Sequence, residues 1–264
     1  MLAIDKLSFA YGAVQALREV NMKMPDNRVT CITGRNGVGK TTLLKNLMGI
    51  LRPSSGSVQA GGMDLTNLTS AQHARAGMAL VAQGRQIFPK LTVEENLRVG
   101  LSALSPTSGK LSKLARAIMP GGSKTSGPEN LRAQAPANGR QGEIPSMIYD
   151  LFPVLKTMGR RMGGDLSGGQ QQQLAIARAL VGQPKILLLD EPTEGIQPNI
   201  ITQIGHVLHH LVDQMGMTVV LVEQYLDFVK EFGHQFYIMN RGRVVAEGPT
   251  SELSPEIIRS HLSV

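Results

Sequence analysis

The sequence predicts an α/β protein whose central sheet is mostly parallel and covered on both faces. Three observations carry this expectation. The strand-length runs RVTCITG, PKILLLDEP and MTVVLVEQ are almost continuously apolar, as strands buried on both faces must be. Helix patterns precede the second and third runs, which is the order of βαβ units. A glycine-rich turn follows the first run at once and opens a helix.

Taken in order, the chain begins with β-like pieces, LAIDKLSFAYG and VNMKMP, before RVTCITG. From Lys40, TTLLKNLMGILRP places Leu43, Leu44, Leu47 and Met48 on one helix face, and Gly49 and Pro53 supply stop signals. SGGQQQQLAIARALVG reads as a helix ahead of PKILLLDEP, and IITQIGHVLHHLVDQMG as an amphipathic helix ahead of MTVVLVEQ. The remainder, QFYIMNRGRVVAEG, reads as a hairpin turning at Asn240 to Gly242, and SPEIIRSHL as a short helix.

With 264 residues and 42% hydrophobic content, the chain can bury a sizeable core. Its longest apolar runs, such as Val219 to Val222, fall far short of the roughly 18 residues of a membrane span. The start, MLAIDKLSFAYG, lacks the pattern of a secretory signal, so a cytosolic location is expected. The single cysteine, Cys31, excludes an intrachain disulfide and reads as a small buried hydrophobe. A net charge of +7 is compatible with nucleic acid, anionic lipid or no specific partner. Between Ser102 and Pro145, six basic residues face two acidic ones, so +4 of the excess lies there. That segment is rich in Pro, Gly and Ser and has no aromatic residue to stack a base, so it reads as a mobile, solvated insertion.

Chemistry begins at Gly34 to Thr41, GRNGVGKT, a phosphate-loop pattern between an apolar strand and a helix. Its glycines let backbone N–H groups surround phosphate oxygens, and the helix N-terminus adds a favourable dipole. Lys40 is expected to neutralise the β- and γ-phosphates, and the Thr41 hydroxyl to bind Mg2+. ILLLDEP then delivers two carboxylates to the end of a buried strand, where ligands sit in open parallel sheets. Asp190 suits the Mg2+ shell and Glu191 a base acting on the attacking water. LSGGQ, Leu166 to Gln170, is a second glycine-rich cradle ahead of a helix. Two cradles in one chain make sense if the second closes over a nucleotide held by another chain.

GRNGVGKT, LSGGQ and LLLDEP in this order resemble the nucleotide-binding subunit of an ATP-binding cassette (ABC) transporter. The resemblance implies one cassette over residues 1–264. Residues 1–85 and 166–264 would form the nucleotide-binding core with an antiparallel β subdomain, and 86–165 a helical subdomain containing the insertion at about 102–145. It implies an ATPase with ATP and Mg2+ held by Gly34, Arg35, Asn36, Gly37, Val38, Gly39, Lys40, Thr41 and Thr42. Ser167, Gly168, Gly169 and Gln170 would complete the site of a second ATPase chain. Tyr11 would stack on adenine, although a core tyrosine is the other reading. Gln83 would touch Mg2+ and link the site to the membrane subunits. Ile87, Phe88 and Leu91 resemble the groove that receives a permease helix.

Two positions depart from the family pattern. Gln224 stands where a histidine usually contacts the γ-phosphate, and an amide cannot carry a proton near neutral pH. Gln224 is therefore expected to position γ-phosphate and water, leaving Glu191 as the main catalyst. Gln197 stands where the family has an aspartate in the loop that crosses the dimer interface. Together these departures resemble the second ATPase of importers for branched-chain amino acids and for urea or short amides. EGIQPNI with LSGGQQQQLAIARAL resembles the urea-type member in particular. The implied partners are two transmembrane permease subunits and, indirectly, a periplasmic substrate-binding protein, with the chain peripheral on the cytoplasmic face of the inner membrane. The contrasting class, a soluble ABC ATPase acting on nucleic acid, usually carries two cassettes or a coiled-coil arm; one phosphate loop and no heptad run argue against it.

Overall fold

A computed structural model describes residues 1–101 and 143–262. The insertion expected at about 102–145 therefore lies outside the described residues except for its last three positions. The strands are β1 (Leu2–Tyr11), β2 (Val14–Met24), β3 (Val29–Thr33), β4 (Ser55–Ala60), β5 (Met63–Asp64), β6 (Met78–Val81), β7 (Ile186–Asp190), β8 (Thr218–Val222), β9 (Gln235–Asn240) and β10 (Arg243–Pro249). They form an antiparallel sheet, β2-β1-β4-β5, and a six-stranded sheet, β10-β9-β3-β8-β7-β6. In the second sheet every pairing is parallel except β10 with β9.

The helices are α1 (Lys40–Leu47), α2 (Ser70–Arg75), α3 (Val93–Gly100), α4 (Ser146–Leu151), α5 (Pro153–Thr157), α6 (Gly168–Val181), α7 (Pro198–Asp213), α8 (Leu226–Phe232) and α9 (Pro255–His261). Three of them start at reciprocal caps, Thr69 with Gln72, Thr92 with Glu95 and Ser167 with Gln170. In each, the cap hydroxyl accepts the third backbone N–H while that residue's side chain returns to the cap, satisfying two otherwise orphaned donors.

The continuous apolar runs have a physical cause, because each central strand feeds two cores. Leu187 and Leu189 of β7, with Val219 and Leu221 of β8, pack among Leu174, Ile176 and Leu208 from α6 and α7. Ile186, Leu188, Val220 and Val222 face Leu43 and Leu47 of α1 and the inward residues of the antiparallel sheet. Burial on both faces removes the polar alternation of a half-exposed strand. Cys31 is fully buried in the first core, and burial pushes its thiol pKa far up, so it serves as packing.

One cross-link between the two sheets and one close helix contact fix the packing. The Tyr237 hydroxyl of β9 donates to the Lys23 carbonyl of β2 at 2.9 Å and accepts the Lys23 N–H at 2.9 Å. Gly205 lets α7 lie directly on α8, since a Cβ there would come within 2.4 Å of the buried Phe232 ring. That ring is hemmed in by Phe228, His206 and His209. Gly205→Ala gains about 1 kcal/mol in helix propensity, but overpacking costs about 1–3 kcal/mol. The net cost of about 0–2 kcal/mol should lower Tm by up to about 8 °C in a thermal melt.

Candidate nucleotide site

Strands β3, β6, β7 and β8 are parallel, so their C-terminal ends deliver the polar residues of the motifs to one edge. After β3 the chain turns at Gly34 (φ 149°) and reaches Gly39 (φ 108°) before α1. A Cβ at Gly34 would lie 2.4 Å from the Met239 carbonyl oxygen, and one at Gly39 would lie 2.7 Å from that of Ala16. Glycine is needed at both for backbone conformation and for space. The turn of the β9–β10 hairpin closes this loop from behind, because Gly242 N–H donates to the Val38 carbonyl at 3.0 Å. Arg18 N–H of β2 donates to the Gly242 carbonyl at 2.8 Å.

Lys40 curls back over the loop it follows. Its Nζ donates to the carbonyls of Gly34 at 2.7 Å and Arg35 at 3.0 Å, and it lies 3.6 Å from Glu191 Oε1. Burial lowers the Lys40 pKa, while the Glu191 carboxylate works to hold its proton. An ammonium held by two carbonyls and one carboxylate is a preformed anion hook.

Asp190 ends β7 and is buried; burial raises its pKa, and the Thr41 hydroxyl hydrogen-bonds its carboxylate. Among the described residues its Oδ1 is buried without a hydrogen-bond partner. An orphaned carboxylate oxygen beside a threonine hydroxyl, with the Gln83 amide on the adjacent strand end, is a donor set that suits a hard divalent cation. The residues therefore fit Mg2+ accompanying a nucleotide.

Glu191 is bent off the strand by a left-handed backbone, φ 49°, which costs about 1–3 kcal/mol for a non-glycine residue. Its N–H donates to the Val222 carbonyl at 2.9 Å, which fixes the bend against β8. Three side chains converge on its carboxylate: Lys40, Gln83 Nε2 at 2.9 Å and Gln224 Nε2 at 2.5 Å. Gln224 Nε2 also donates to Asn36 Oδ1 of the phosphate loop at 2.8 Å. Gln224 thus bridges the loop and the acid, and Gln83 reaches Glu194 at 3.1 Å as well. Tyr11 is not a core residue. It is 49% exposed, its ring stands edge-on to Phe9, and its hydroxyl lies 3.5 Å from Thr42 Oγ1 at the rim of the site.

Ser167, Gly168, Gly169 and Gln170 do not join this cluster. They open α6 and line a groove of about 830 Å3 with Gln197 and Ile200. Gln197 sits at the start of α7 without a side-chain capping bond. In the loop after β6, Phe88 is exposed, while Ile87 packs against the first core and Leu91 is half-buried.

Sequence reasoning missed the residues that brace these loops. Buried Asn96 binds the carbonyls of Phe88, Leu91 and Thr92 and accepts the Phe88 N–H. Arg178 donates to the Gln86 carbonyl at 2.7 Å, with its guanidinium 5.1 Å from the Phe88 ring centre. Arg85, itself left-handed at φ 68°, reaches Gln171 at 3.4 Å and the Gly195 carbonyl at 3.3 Å. Glu223 is 2% exposed, and burial raises its pKa against the hydrogen bonds that favour its charge. A polar residue on the apolar face of a helix, as at Asn96 and Arg178, was the available signal.

Comparison with known proteins bears on this arrangement. A family model described as ABC transporter matches residues 17–194. The high-affinity branched-chain amino acid transport ATP-binding protein BraG of Pseudomonas aeruginosa is 36% identical, over 93% of this chain and 91% of its own. A probable branched-chain amino acid transport ATP-binding protein, LivF of Archaeoglobus fulgidus, is 31% identical, over 96% and 94%. Among solved structures, a nucleotide-free ATP-binding cassette from an ABC transporter superposes with a TM-score of 0.77 at 28% identity, covering 100% of this chain and 95% of that one. The ADP conformation of another ATP-binding cassette of an ABC transporter superposes at 0.78 with 27% identity, covering 98% and 97%. These likenesses favour the branched-chain alternative over the urea-type member: both relatives named above carry branched-chain amino acid names, and the urea-type branch drawn from EGIQPNI is not shown by them. The family match spans well over half the chain and runs from β2 past Glu191, and the cassette fold agrees over the full described length; this protein belongs to the ABC transporter family and is one of its ATPase cassettes.

Proposed function

We propose that this cassette powers the uptake of branched-chain amino acids through a membrane permease. The observation that supports the substrate class is the extended similarity to BraG and LivF, over more than nine-tenths of the chain. A second reading, import of urea or short amides, rests on EGIQPNI and the glutamine-rich start of α6.

In this reading the backbone from Gly34 to Thr42 wraps the phosphates of ATP, Lys40 neutralises the β- and γ-phosphates, and Tyr11 covers the base. Thr41, Asp190 and Gln83 hold Mg2+, which when bound neutralises phosphate charge. Glu191 accepts a proton from water as the water oxygen bonds to the γ-phosphorus and the bond to the bridging oxygen breaks. Gln224 orients the γ-phosphate and the water without exchanging protons, since an amide neither gains nor loses a proton near neutral pH. Ser167 to Gln170 close over the nucleotide of a second ATPase chain, in a homodimer or a heterodimer. The chain lies peripherally on the cytoplasmic face of the membrane, against two permease subunits that receive substrate from a periplasmic binding protein. Among the described residues no helix is long and apolar enough to cross a membrane. Nucleic acid is not among the proposed partners.

The test is uptake of labelled leucine and labelled urea in cells whose only copy is the natural chain or Lys40→Ala. We expect Lys40→Ala to abolish leucine uptake and leave urea uptake intact. Loss of urea uptake alone moves the assignment to the second reading, and no change in either refutes both.

A further inference from the structure

We infer that Glu223 is a positioning residue for ATP hydrolysis, tying the loop that carries Glu191 to the loop that carries Gln224. Its Oε1 accepts the Thr193 N–H at 3.0 Å and the Thr193 hydroxyl at 2.6 Å. Its Oε2 accepts the Gln224 N–H at 2.9 Å and the Tyr225 N–H at 3.2 Å. Thr193 lies two residues after Glu191, and Gln224 directly follows Glu223. Four donors from two loops thus meet one carboxylate, which as an acceptor-only group has room for all four.

The position explains why a charge is tolerated there. A carboxylate at 2% exposure is costly unless every lone pair is used, and this one is satisfied by groups whose placement the site depends on. The Glu223 N–H donates to the Ile32 carbonyl at 3.1 Å, extending the β8 to β3 pairing up to the phosphate loop. Glu223 is therefore anchored to the sheet on its main chain and to both loops through its side chain. Among the described residues its carboxylate hydrogen-bonds Thr193, Gln224 and Tyr225 and not Glu191, and its charge is felt at Lys40. It acts by fixing where Thr193 and Gln224 sit, and through them the carboxylate of Glu191 and the amide that bridges it to Asn36.

The inference rests on the proposed catalytic reading of Glu191, so the experiment carries Glu191→Gln as a control. In purified protein, Glu223→Gln places an amide NH2 against either the Thr193 N–H or the Gln224 and Tyr225 N–H pair, so at least one loop must shift. We expect kcat for ATP hydrolysis to fall about 10- to 100-fold, as misplacement of about 1 Å can produce, with KM for ATP within about 3-fold. Adding Gln224→Ala to Glu223→Gln should cost less than about 3-fold more, because both act on one network. Thr193→Val should lower kcat, and Thr193→Ser, which keeps the hydroxyl, should restore it to within about 2-fold. If Glu223→Gln does not fold, the Thr193 pair decides: equal kcat for Val and Ser overturns the proposal. With Glu191→Gln inactive, normal kcat in Glu223→Gln, or fully multiplicative losses with Gln224→Ala, overturns the role of Glu223 alone. Activity retained in Glu191→Gln overturns the catalytic reading, and the role of Glu223 with it.

Discussion

Glu191→Gln lowers the steady-state ATPase rate by about 100-fold or more while MgATP continues to bind, because general-base assistance is worth about 100- to 10,000-fold. The amide keeps the shape of the carboxylate and the same left-handed backbone, so the bend off β7 is retained. What is lost is the proton acceptor. The substitution also removes a negative charge 3.6 Å from Lys40 Nζ, at the place where phosphate charge arrives, so nucleotide affinity should hold or rise. Gln224→Ala removes the bridge from Asn36 to Glu191 and should cost about 10-fold in kcat, the lesser effect, because it disturbs orientation without removing the base. Steady-state kinetics with a nucleotide-induced thermal shift on each variant checks both statements. Full activity in Glu191→Gln together with abolition in Gln224→Ala would reverse the division of labour.

The second large effect is expected at Gly34. A methyl group there must fit within 2.4 Å of the Met239 carbonyl oxygen and 3.0 Å of Val38 Cγ2, in a backbone region that side chains avoid. The obstacle is main chain, so no rotamer change relieves it, and the loop or the hairpin behind it must move. The Gly34 carbonyl that holds Lys40 moves with them. For the natural chain at ATP about 100 times Kd, binding adds about 2.7 kcal/mol of stability. A 100-fold weaker Gly34→Ala at the same concentration keeps only about 0.4 kcal/mol by the same relation. The nucleotide-induced rise in Tm should therefore shrink from about 5–10 °C to about 1–2 °C. A full-sized shift would show that the loop tolerates the methyl group and that its packing on Met239 is unimportant for phosphate binding.

The parts of this molecule that were legible in its sequence are those governed by local rules. Strands β3, β7 and β8 announce themselves as apolar runs because both their faces are covered, and GRNGVGKT is readable because its glycines meet conformational demands within one turn. Asp190 and Glu191 could be expected at the sheet edge because parallel strands deliver their ends there, whereas Gln83 and Gln224 were expected beside them only through the family resemblance. Strands β4, β5 and β6 went unread: SGSVQA, MD and MALV are short and carry little pattern, and their pairing partners define them. The partners of the bracing residues were silent for a different reason. Glu223 meets Thr193 across 30 residues and Arg178 meets Gln86 across 92, and such encounters follow from tertiary packing, which no local spacing displays. The urea-type assignment came from two short segments, and similarity spread over the whole chain outweighs it.

The hairpin that backs the phosphate loop also sets an order of events during synthesis. GRNGVGKT leaves the ribosome early, yet the carbonyl of Met239 and the main chain of Gly242, which complete its enclosure, are translated near the end of the cassette. At about 5–20 residues per second the two are separated by about 10–40 s. Throughout that interval a nascent chain carries the full phosphate-binding signature without the wall that shapes it. Full enclosure of the phosphate loop is therefore a late event in synthesis, arriving with the β9–β10 hairpin.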